Sequence, residues 1–351
     1  MGKAKGTALL SRLLQRSFSA VTKRAVRAGS KVLAQALKPR KVASTKPARV
    51  RRTPVPRTQA VTPALHTHLT SGLAGAQRYR LFVPPGVQRS ELLPLVVMLH
   101  GCGQTGEDFA ASTRMNQIAM RERFVVLYPE QNHIAHLQGC WNWYQTRSGQ
   151  AQMEADAIHA TIRQVCRLPT VDQARIALAG FSAGAGMAAF LATRYPASFS
   201  VVAMHSGIAP GIASSTATAL SAMRGHGIAK PLVALADGLH LPALLVIQGK
   251  VDTIVAPSNA ALAAQAWANL EGAKASAPRT VQRGSRYPAT LTDYRNRGRL
   301  VATLCTVDRL GHAWSGGAAS QAFSDCQGPD ASRMVWAFAS RQFVKPRHLL
   351  R

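Results

Sequence analysis

Seven short apolar segments, separated by stretches of helical periodicity, place the strongest limit on how this chain of 351 residues can fold. The apolar segments are YRLFVP (79–84), LVVMLHG (95–101), FVVLYP (124–129), RIALAGF (175–181), FSVVAMHS (199–206), ALLVIQG (243–249) and VATLCTV (301–307). Several lack polar residues at alternate positions, which is typical of strands covered on both faces of a sheet. The segments expected to be helical are 107–121, 154–166, 184–194, 258–270 and 331–342. This alternation predicts an α/β fold with a mostly parallel central sheet flanked by helices.

The positive charge is concentrated at the start of the chain. Residues 1–60 contain 16 Lys and Arg and no Asp or Glu, within a formal net charge of +28. Residues 8–37 carry apolar side chains at roughly helical spacing, whereas 38–63 are rich in Pro, Lys and Arg and have little to bury. We therefore expect a basic N-terminal arm over residues 1–70, amphipathic or disordered, followed by one globular domain over 71–351.

Three roles are open for the basic arm. It could be a flexible tail attracted to anionic surfaces, it could adsorb to a membrane or a polymer granule, or it could bind nucleic acid. Nucleic-acid binding is the least favoured, because Phe18 is the only aromatic residue of the arm that could stack on a base. No apolar run approaches the roughly 18 residues that span a bilayer. Arg12 and Arg16 interrupt the stretch that a standard secretory signal would need.

A serine between two glycines follows the fourth apolar segment, in the order Gly180, Phe181, Ser182, Ala183, Gly184. The G-x-S-x-G pattern alone is weak, because glycine and serine are common residues. Its position is more specific, since a sharp strand-to-helix turn exposes a nucleophilic serine above the sheet. We expect the glycines to avoid clashes with the neighbouring strand and helix. Ser182 is therefore the predicted nucleophile, and a small residue at a tight turn is the alternative.

A serine hydroxyl needs a histidine to take its proton and a carboxylate to orient that histidine. His312 in LGHAWSGG follows the last apolar segment and is the favoured base. Asp252 follows the segment 243–249 and is the favoured carboxylate. The other aspartates considered in this interval are Asp237, Asp293 and Asp308. The chain order Ser182, Asp252, His312 is that of an α/β-hydrolase.

An oxyanion hole requires two backbone N–H groups directed at the developing negative charge. Ala183, directly after the nucleophile, is expected to supply one of them. The loop LHGCGQTGEDF follows the second apolar segment and could supply the other from Cys102 or Gly103.

With these residues in place, the chain resembles the esterase family of poly(3-hydroxybutyrate) depolymerases over roughly residues 75–345. The blocks that carry the resemblance are PLVVMLHGCGQTGEDFA, TRMNQIA, FVVLYPEQ, CWNWY, GFSAGAGMAAFLATRYPASFSVVAMHSG, LGHAWSGG and GPDASRMVWAFA. The resemblance implies an α/β-hydrolase fold and a serine esterase that acts on short-chain polyhydroxyalkanoate esters. It also implies an extracellular or cell-envelope location. A cytoplasmic, granule-associated protein is the alternative.

The resemblance assigns roles to further residues. It agrees with Ser182, Asp252 and His312 as the triad, and it selects Cys102 with Ala183 as the oxyanion amides. It implies a disulfide between Cys102 and Cys140. The tryptophans that it suggests as lining for the acyl chain are Trp141, Trp143 and Trp314. No cofactor is expected, and no metal site, since the cysteine spacings match no zinc pattern.

Two features depart from many secreted depolymerases. No Thr-rich linker or polymer-binding domain is recognisable, so soluble oligomers or amorphous polymer are expected as substrates rather than crystalline polymer. The basic arm stands where a signal peptide is usual. A feruloyl or acetylxylan-type esterase is the alternative enzyme, and a noncatalytic granule- or nucleic-acid-binding protein on a hydrolase scaffold is the alternative of another class.

Overall fold

A computed structural model describes residues 69–75, 77–132, 135–227, 232 and 239–343. The amphipathic segment 8–37 and the linker 38–63 lie outside the described residues, as do the membrane, granule and nucleic-acid roles considered for them. Residues 344–351 of the expected globular domain also lie outside.

One sheet of eleven strands dominates the described part of the chain. Its strands are β1 (Leu69–Ala74), β2 (Gln77–Phe82), β3 (Leu93–Leu99), β4 (Val125–Glu130), β5 (Val171–Phe181), β6 (Val201–His205), β7 (Ala243–Gly249), β8 (Lys274–Ala275), β9 (Arg279–Val281), β10 (Ala289–Asn296) and β11 (Arg299–Val307). Their spatial order is β1-β2-β4-β3-β5-β6-β7-β11-β10-β8, with β9 paired to β10. The six strands from β4 to β11 in this order are parallel, and antiparallel strands extend both edges. The mostly parallel sheet predicted from the sequence is confirmed.

Helices cover both faces of this sheet. They are α1 (Gly106–Thr113), α2 (Met115–Glu122), α3 (Gln150–Val165), α4 (Ala183–Arg194), α5 (Thr216–Met223), α6 (Ser258–Leu270) and α7 (Ala331–Phe343), with a 3₁₀ turn at Pro196–Ser198. The side chains of β3 alternate between two cores: Leu95, Val97 and Leu99 face the core that α3, α4 and α6 complete. Val96 and Met98 face the core formed with α1, α2 and α7. Because both faces are buried, β3 needs apolar residues at every position.

The segment 107–121, expected as one helix, is two helices separated at Arg114. The backbone of Arg114 is left-handed, with φ 55°, and its N–H closes α1 on the carbonyl of Ala110. Its guanidinium donates to the carbonyl of Gly316, which is distant in sequence. A tertiary contact therefore accompanies the break, and helical periodicity in the sequence could not reveal it.

Strands at the two edges of the sheet and one helix were not anticipated. The strands β1 and β8 to β10 are antiparallel and carry exposed polar side chains, so they lack the continuous apolar runs used to recognise strands. The helix α5 lies in the segment 207–242, where Ser215 and Thr218 form a capping box at its start. A two-stranded parallel sheet, β12 (Trp314–Ser315) with β13 (Ser324–Asp325), follows the main sheet. No helix in the described ranges has both the length and the apolar character to cross a bilayer.

Candidate active site

Ser182 occupies the sharp turn between β5 and α4. Its φ of 55° and ψ of −118° are unusual for a residue with a side chain. Its N–H donates to the carbonyl of His205 at the end of the adjacent strand β6, at 2.9 Å. The turn is therefore held in a conformation that directs the serine side chain away from the sheet.

The two glycines of this turn are required by close backbone contacts. A Cβ atom at Gly180 would lie 2.2 Å from the carbonyl oxygen of Gly184, and a Cβ at Gly184 would lie 2.1 Å from that of Leu99. Both distances are shorter than any real contact, and both involve backbone, which cannot rotate away. The steric role expected for the glycines is thus confirmed, and the start of α4 packs directly on the end of β3.

The structure brings Ser182, His312 and Asp252 into one chain of hydrogen bonds. The Nε2 atom of His312 lies 3.0 Å from the Oγ atom of Ser182, although the two residues are 130 positions apart. The Nδ1 atom of His312 lies 2.8 Å from the Oδ2 atom of Asp252. The side chain of Asp252 is fully buried and that of His312 is 6% exposed. The side chains of His312 and Asp252 are therefore shielded from solvent, whereas Ser182 is half-buried.

Asp252 accepts hydrogen bonds on both carboxylate oxygens. Its Oδ1 accepts the N–H groups of Ile254 and Val255, each at 2.9 Å, and its Oδ2 accepts the side-chain amide of Gln248 at 3.0 Å as well as His312. Burial opposes ionisation of Asp252, but the hydrogen bond and charge of His312 and the two backbone amides hold its pKa below the ordinary value. A carboxylate with this environment can stabilise a positive charge on the imidazole.

Two loops meet to place the carboxylate beside the imidazole. The N–H of Val251 donates to the carbonyl of Leu310 at 3.1 Å, and that of Lys250 donates to the carbonyl of Val307 at 2.9 Å. A Cβ at Gly249 would lie 2.1 Å from the Leu310 oxygen, so only glycine permits this approach.

The other aspartates considered from the sequence have different surroundings. Asp293 accepts from Thr303 and pairs with Arg279, and Asp308 pairs with Lys250. Asp237 lies outside the described residues.

The loop after β3 contains a backbone amide without a protein acceptor. The N–H of Gly103 donates to the carbonyl of Gln138 at 2.8 Å, so Gly103 cannot offer this group to a ligand. Within the described residues, the N–H of Cys102 donates to no protein atom. Ala183 begins α4 and so has no intrahelical acceptor for its N–H. Both amides expected from the sequence thus lack a protein acceptor, and their role as an oxyanion hole stays a prediction.

A disulfide joins Cys102 to Cys140, 38 residues further along the chain. The pairing is the one that the sequence resemblance implies. It ties the loop after β3 to the loop that contains Trp141, whose indole N–H donates to the carbonyl of His100 at 3.1 Å. The disulfide, this hydrogen bond and the bond from Gly103 to Gln138 therefore hold the Cys102 amide in place.

A family model described as "Esterase PHB depolymerase" matches residues 77–285. This chain belongs to that family. The match covers more than half of the chain and includes Ser182 and Asp252, whereas His312 lies beyond it. The family membership expected from the sequence blocks is confirmed.

Two relatives and one solved structure are similar to this chain. The chain is 29% identical over 240 residues to poly(3-hydroxyalkanoate) depolymerase C of Paucimonas lemoignei, covering 66% of this chain and 56% of that protein. It is 27% identical over 194 residues to feruloyl esterase B of Thermothelomyces thermophilus, covering 51% of this chain and 66% of that protein. The alignments thus span less than two thirds of either relative. The acetyl xylan esterase from Aspergillus awamori superposes with a TM-score of 0.56 at 19% identity, over 70% of this chain and 93% of that one, which supports the α/β-hydrolase fold.

The tryptophans expected to line an acyl pocket in this esterase-family domain are mostly interior residues. Trp141 is fully buried, and Trp314 is 1% exposed with its indole N–H donating to Ser332. Neither presents a ring face to solvent, because large aromatic side chains pack where their N–H finds a partner, and their role as acyl-pocket lining stays a prediction. Trp143 is 7% exposed and packs against Gly186 of α4, so its role as pocket lining stays a prediction.

Two residues beside Ser182, Asp252 and His312 make contacts that the sequence analysis did not anticipate. Gln248 at the end of β7 donates to Asp252, and His205 at the end of β6 contacts both the serine turn and the loop of His312. Both are polar residues at the carboxyl end of a buried strand, and that position could have singled them out. Among the described residues, no group of three or more His, Cys, Asp or Glu could hold a metal ion.

Proposed function

We propose that this chain is a carboxylic ester hydrolase that cleaves short-chain polyhydroxyalkanoate esters, polymeric or oligomeric, through an acyl-enzyme. The observation that carries the proposal is the continuous hydrogen-bonded chain from Ser182 through His312 to Asp252. A serine at a strained turn, with an imidazole at 3.0 Å and a buried carboxylate behind it, is equipped for nucleophilic attack.

The proposed reaction has two halves. His312 Nε2 takes the proton as Ser182 Oγ attacks the ester carbonyl, and the N–H groups of Cys102 and Ala183 donate to the oxyanion. His312 then gives the proton to the leaving alcohol, which departs as the carbonyl of the acyl-enzyme forms. Water repeats the sequence on the acyl-enzyme and releases the acid and the free serine. Asp252 keeps Nδ1 of the imidazole protonated and stabilises the positive charge that develops on the ring.

The substrate class rests on the family and on its depolymerase relative from Paucimonas lemoignei. The similarity to feruloyl esterase B supports a second candidate, an esterase for feruloyl or acetyl groups on plant polysaccharides. We expect 3-hydroxybutyrate oligomers to be hydrolysed with the highest kcat/KM in a panel that also contains feruloyl esters and acetylated xylan. A higher kcat/KM on either polysaccharide ester would favour the second candidate.

Active-site labelling tests the reaction class. An organophosphonate should inactivate the protein with one label, located by peptide mass spectrometry on Ser182. Ser198 serves as an internal comparison, because its Oγ also lies 3.0 Å from a histidine, Nε2 of His159, but at an ordinary turn. Absence of label on Ser182, with no hydrolysis of any ester, would support the noncatalytic binding protein instead.

Removing the disulfide should impair turnover more than binding. In Cys140→Ala the loop of Cys102 loses its covalent link and keeps only the hydrogen bonds from Gly103 and Trp141, so its amide is less well placed for the oxyanion. We expect kcat to fall about tenfold with a smaller change in KM, as measured on a short-chain nitrophenyl ester. Cys326→Ser, which replaces an exposed free thiol, is the control and should keep the wild-type kcat. A wild-type kcat in Cys140→Ala would contradict the role given to this loop.

We also propose that the domain works in the extracellular space or the cell envelope. The Cys102–Cys140 disulfide supports this location, because disulfides persist in oxidising compartments. Alkylation without reductant, applied to fractions of the native host, should modify the exposed Cys326 and leave Cys102 and Cys140 unmodified. Protein confined to the cytoplasmic fraction, with Cys102 and Cys140 alkylated, would contradict the proposal.

A further inference from the structure

His205 contacts both of the segments that must meet for the serine and the base to be aligned. Its carbonyl accepts the N–H of Ser182 at 2.9 Å. The Nε2 atom of its side chain accepts the N–H of Ser315 at 3.0 Å, and Ser315 lies three residues after His312. One residue of β6 is thus bonded to the nucleophile's backbone and to the loop of the base.

The ring of His205 is held in one tautomer. Since Nε2 accepts a backbone N–H, the proton of the neutral ring is on Nδ1, which donates to the Oγ of Ser206 at 3.1 Å. Burial, with the nearby His312, lowers the pKa of His205 to about 3. The ring therefore stays neutral near neutral pH and keeps an acceptor for Ser315.

The surroundings of the ring leave it little freedom. It stacks on Trp314 with ring centroids 5.0 Å apart, and it contacts the edge of Phe181, whose own ring lies 4.9 Å from His312. The residue is 1% exposed, so its side chain cannot touch a substrate. Any effect of His205 on the reaction must pass through the residues that it positions.

We propose that His205 is a positioning residue that sets the distance between Ser182 and His312 by accepting the Ser315 N–H. This inference rests on the proposed ester hydrolysis. When the acceptor is lost, the Ser315 N–H is left buried without a partner, and the loop shifts to satisfy it. His312 moves with the loop, and small displacements of a catalytic base cost rate rather than affinity.

A matched set of variants distinguishes the effect of losing the hydrogen-bond acceptor of His205 from the effect of losing its aromatic ring. His205→Phe keeps an aromatic ring against Trp314 but removes the acceptor, whereas His205→Gln keeps an acceptor that can reach Ser315. His159→Phe is the control, since His159 also stacks on an aromatic ring, that of Tyr195, and bonds a serine outside the site. Each variant is measured for kcat and KM on a short-chain nitrophenyl ester, for the rate of phosphonate labelling of Ser182, and for Tm.

We expect His205→Phe to lower kcat and the labelling rate by about tenfold to a hundredfold, with KM changed less than about twofold. His205→Gln should recover most of both rates, and His159→Phe should match the wild type. The inference would be overturned if His205→Phe had the wild-type kcat. It would also be overturned if kcat fell equally in His205→Phe and His205→Gln and if that fall followed the decrease in Tm.

If His205→Phe does not fold, His205→Asn and His205→Gln are compared instead. His205→Asn has the same amide as His205→Gln but is one methylene too short to reach Ser315. A slow Asn variant beside an active Gln variant supports the inference, and equal rates overturn it. A wild-type chain that neither hydrolyses esters nor is labelled would overturn the proposed function together with this inference.

Discussion

Replacing Ser182 by alanine is expected to lower kcat on a short-chain nitrophenyl ester by about 10⁵-fold or more. The loss is large because the covalent route disappears, and only the oxyanion amides and substrate binding remain to accelerate attack by water. Alanine also keeps the turn intact, since the constraints there are the backbone bond from Ser182 N–H to His205 and the close contacts of Gly180 and Gly184. The measurement is steady-state kinetics with Tm as a check of folding, for which we expect little change.

Ser198→Ala is the matched control for this experiment. Its hydroxyl also lies 3.0 Å from the Nε2 of a histidine, His159, but no carboxylate among the described residues is hydrogen-bonded to that imidazole. The variant should hydrolyse the ester at about the wild-type rate. Wild-type turnover in Ser182→Ala, or loss of turnover in Ser198→Ala, would contradict the proposed nucleophile.

Asp252→Asn is expected to lower kcat by about 10³- to 10⁴-fold with little change in KM. The side-chain oxygen of asparagine should take the place of Oδ1, where Ile254 and Val255 donate their N–H groups. The amide NH₂ would then face Nδ1 of His312, which must become an acceptor. The proton moves to Nε2, so the imidazole can no longer take a proton from Ser182.

Asp293→Asn is the control for a buried aspartate. Asp293 accepts from Thr303 at 2.8 Å and pairs with Arg279 at 3.1 Å, on an antiparallel strand away from His312. Its replacement should lower Tm and leave kcat near the wild-type value, because the ion pairs with Arg279 and Arg295 weaken while the tautomer of His312 is untouched. If kcat fell as far in Asp293→Asn as in Asp252→Asn, the loss of kcat in Asp252→Asn would reflect folding rather than the orientation of His312.

The strands of the parallel core were predictable because their signal is local. β7 lies at residues 243–249, as the apolar run indicates, and β5 and β11 extend their predicted segments by a few residues. The antiparallel strand β10 was missed, since its sequence, ATLTDYRN, mixes polar and apolar residues at a sheet edge. The break at Arg114 was missed for another reason: its left-handed backbone is supported by a contact to Gly316, about two hundred residues away.

The sequence by itself determined the α/β class and the family. It also determined that Ser182, Asp252 and His312 follow the ends of strands, because all of these depend on residue patterns within short windows. Only the tertiary structure decided which atoms meet. The 3.0 Å and 2.8 Å contacts of His312 join residues 130 and 60 positions apart, and they depend on the order of the strands. It also decided that Trp141 and Trp314 are interior residues and that His205 connects the serine turn to the loop of the base. The burial of these two tryptophans and the contacts between distant segments are properties of the packed fold, which a local pattern does not specify.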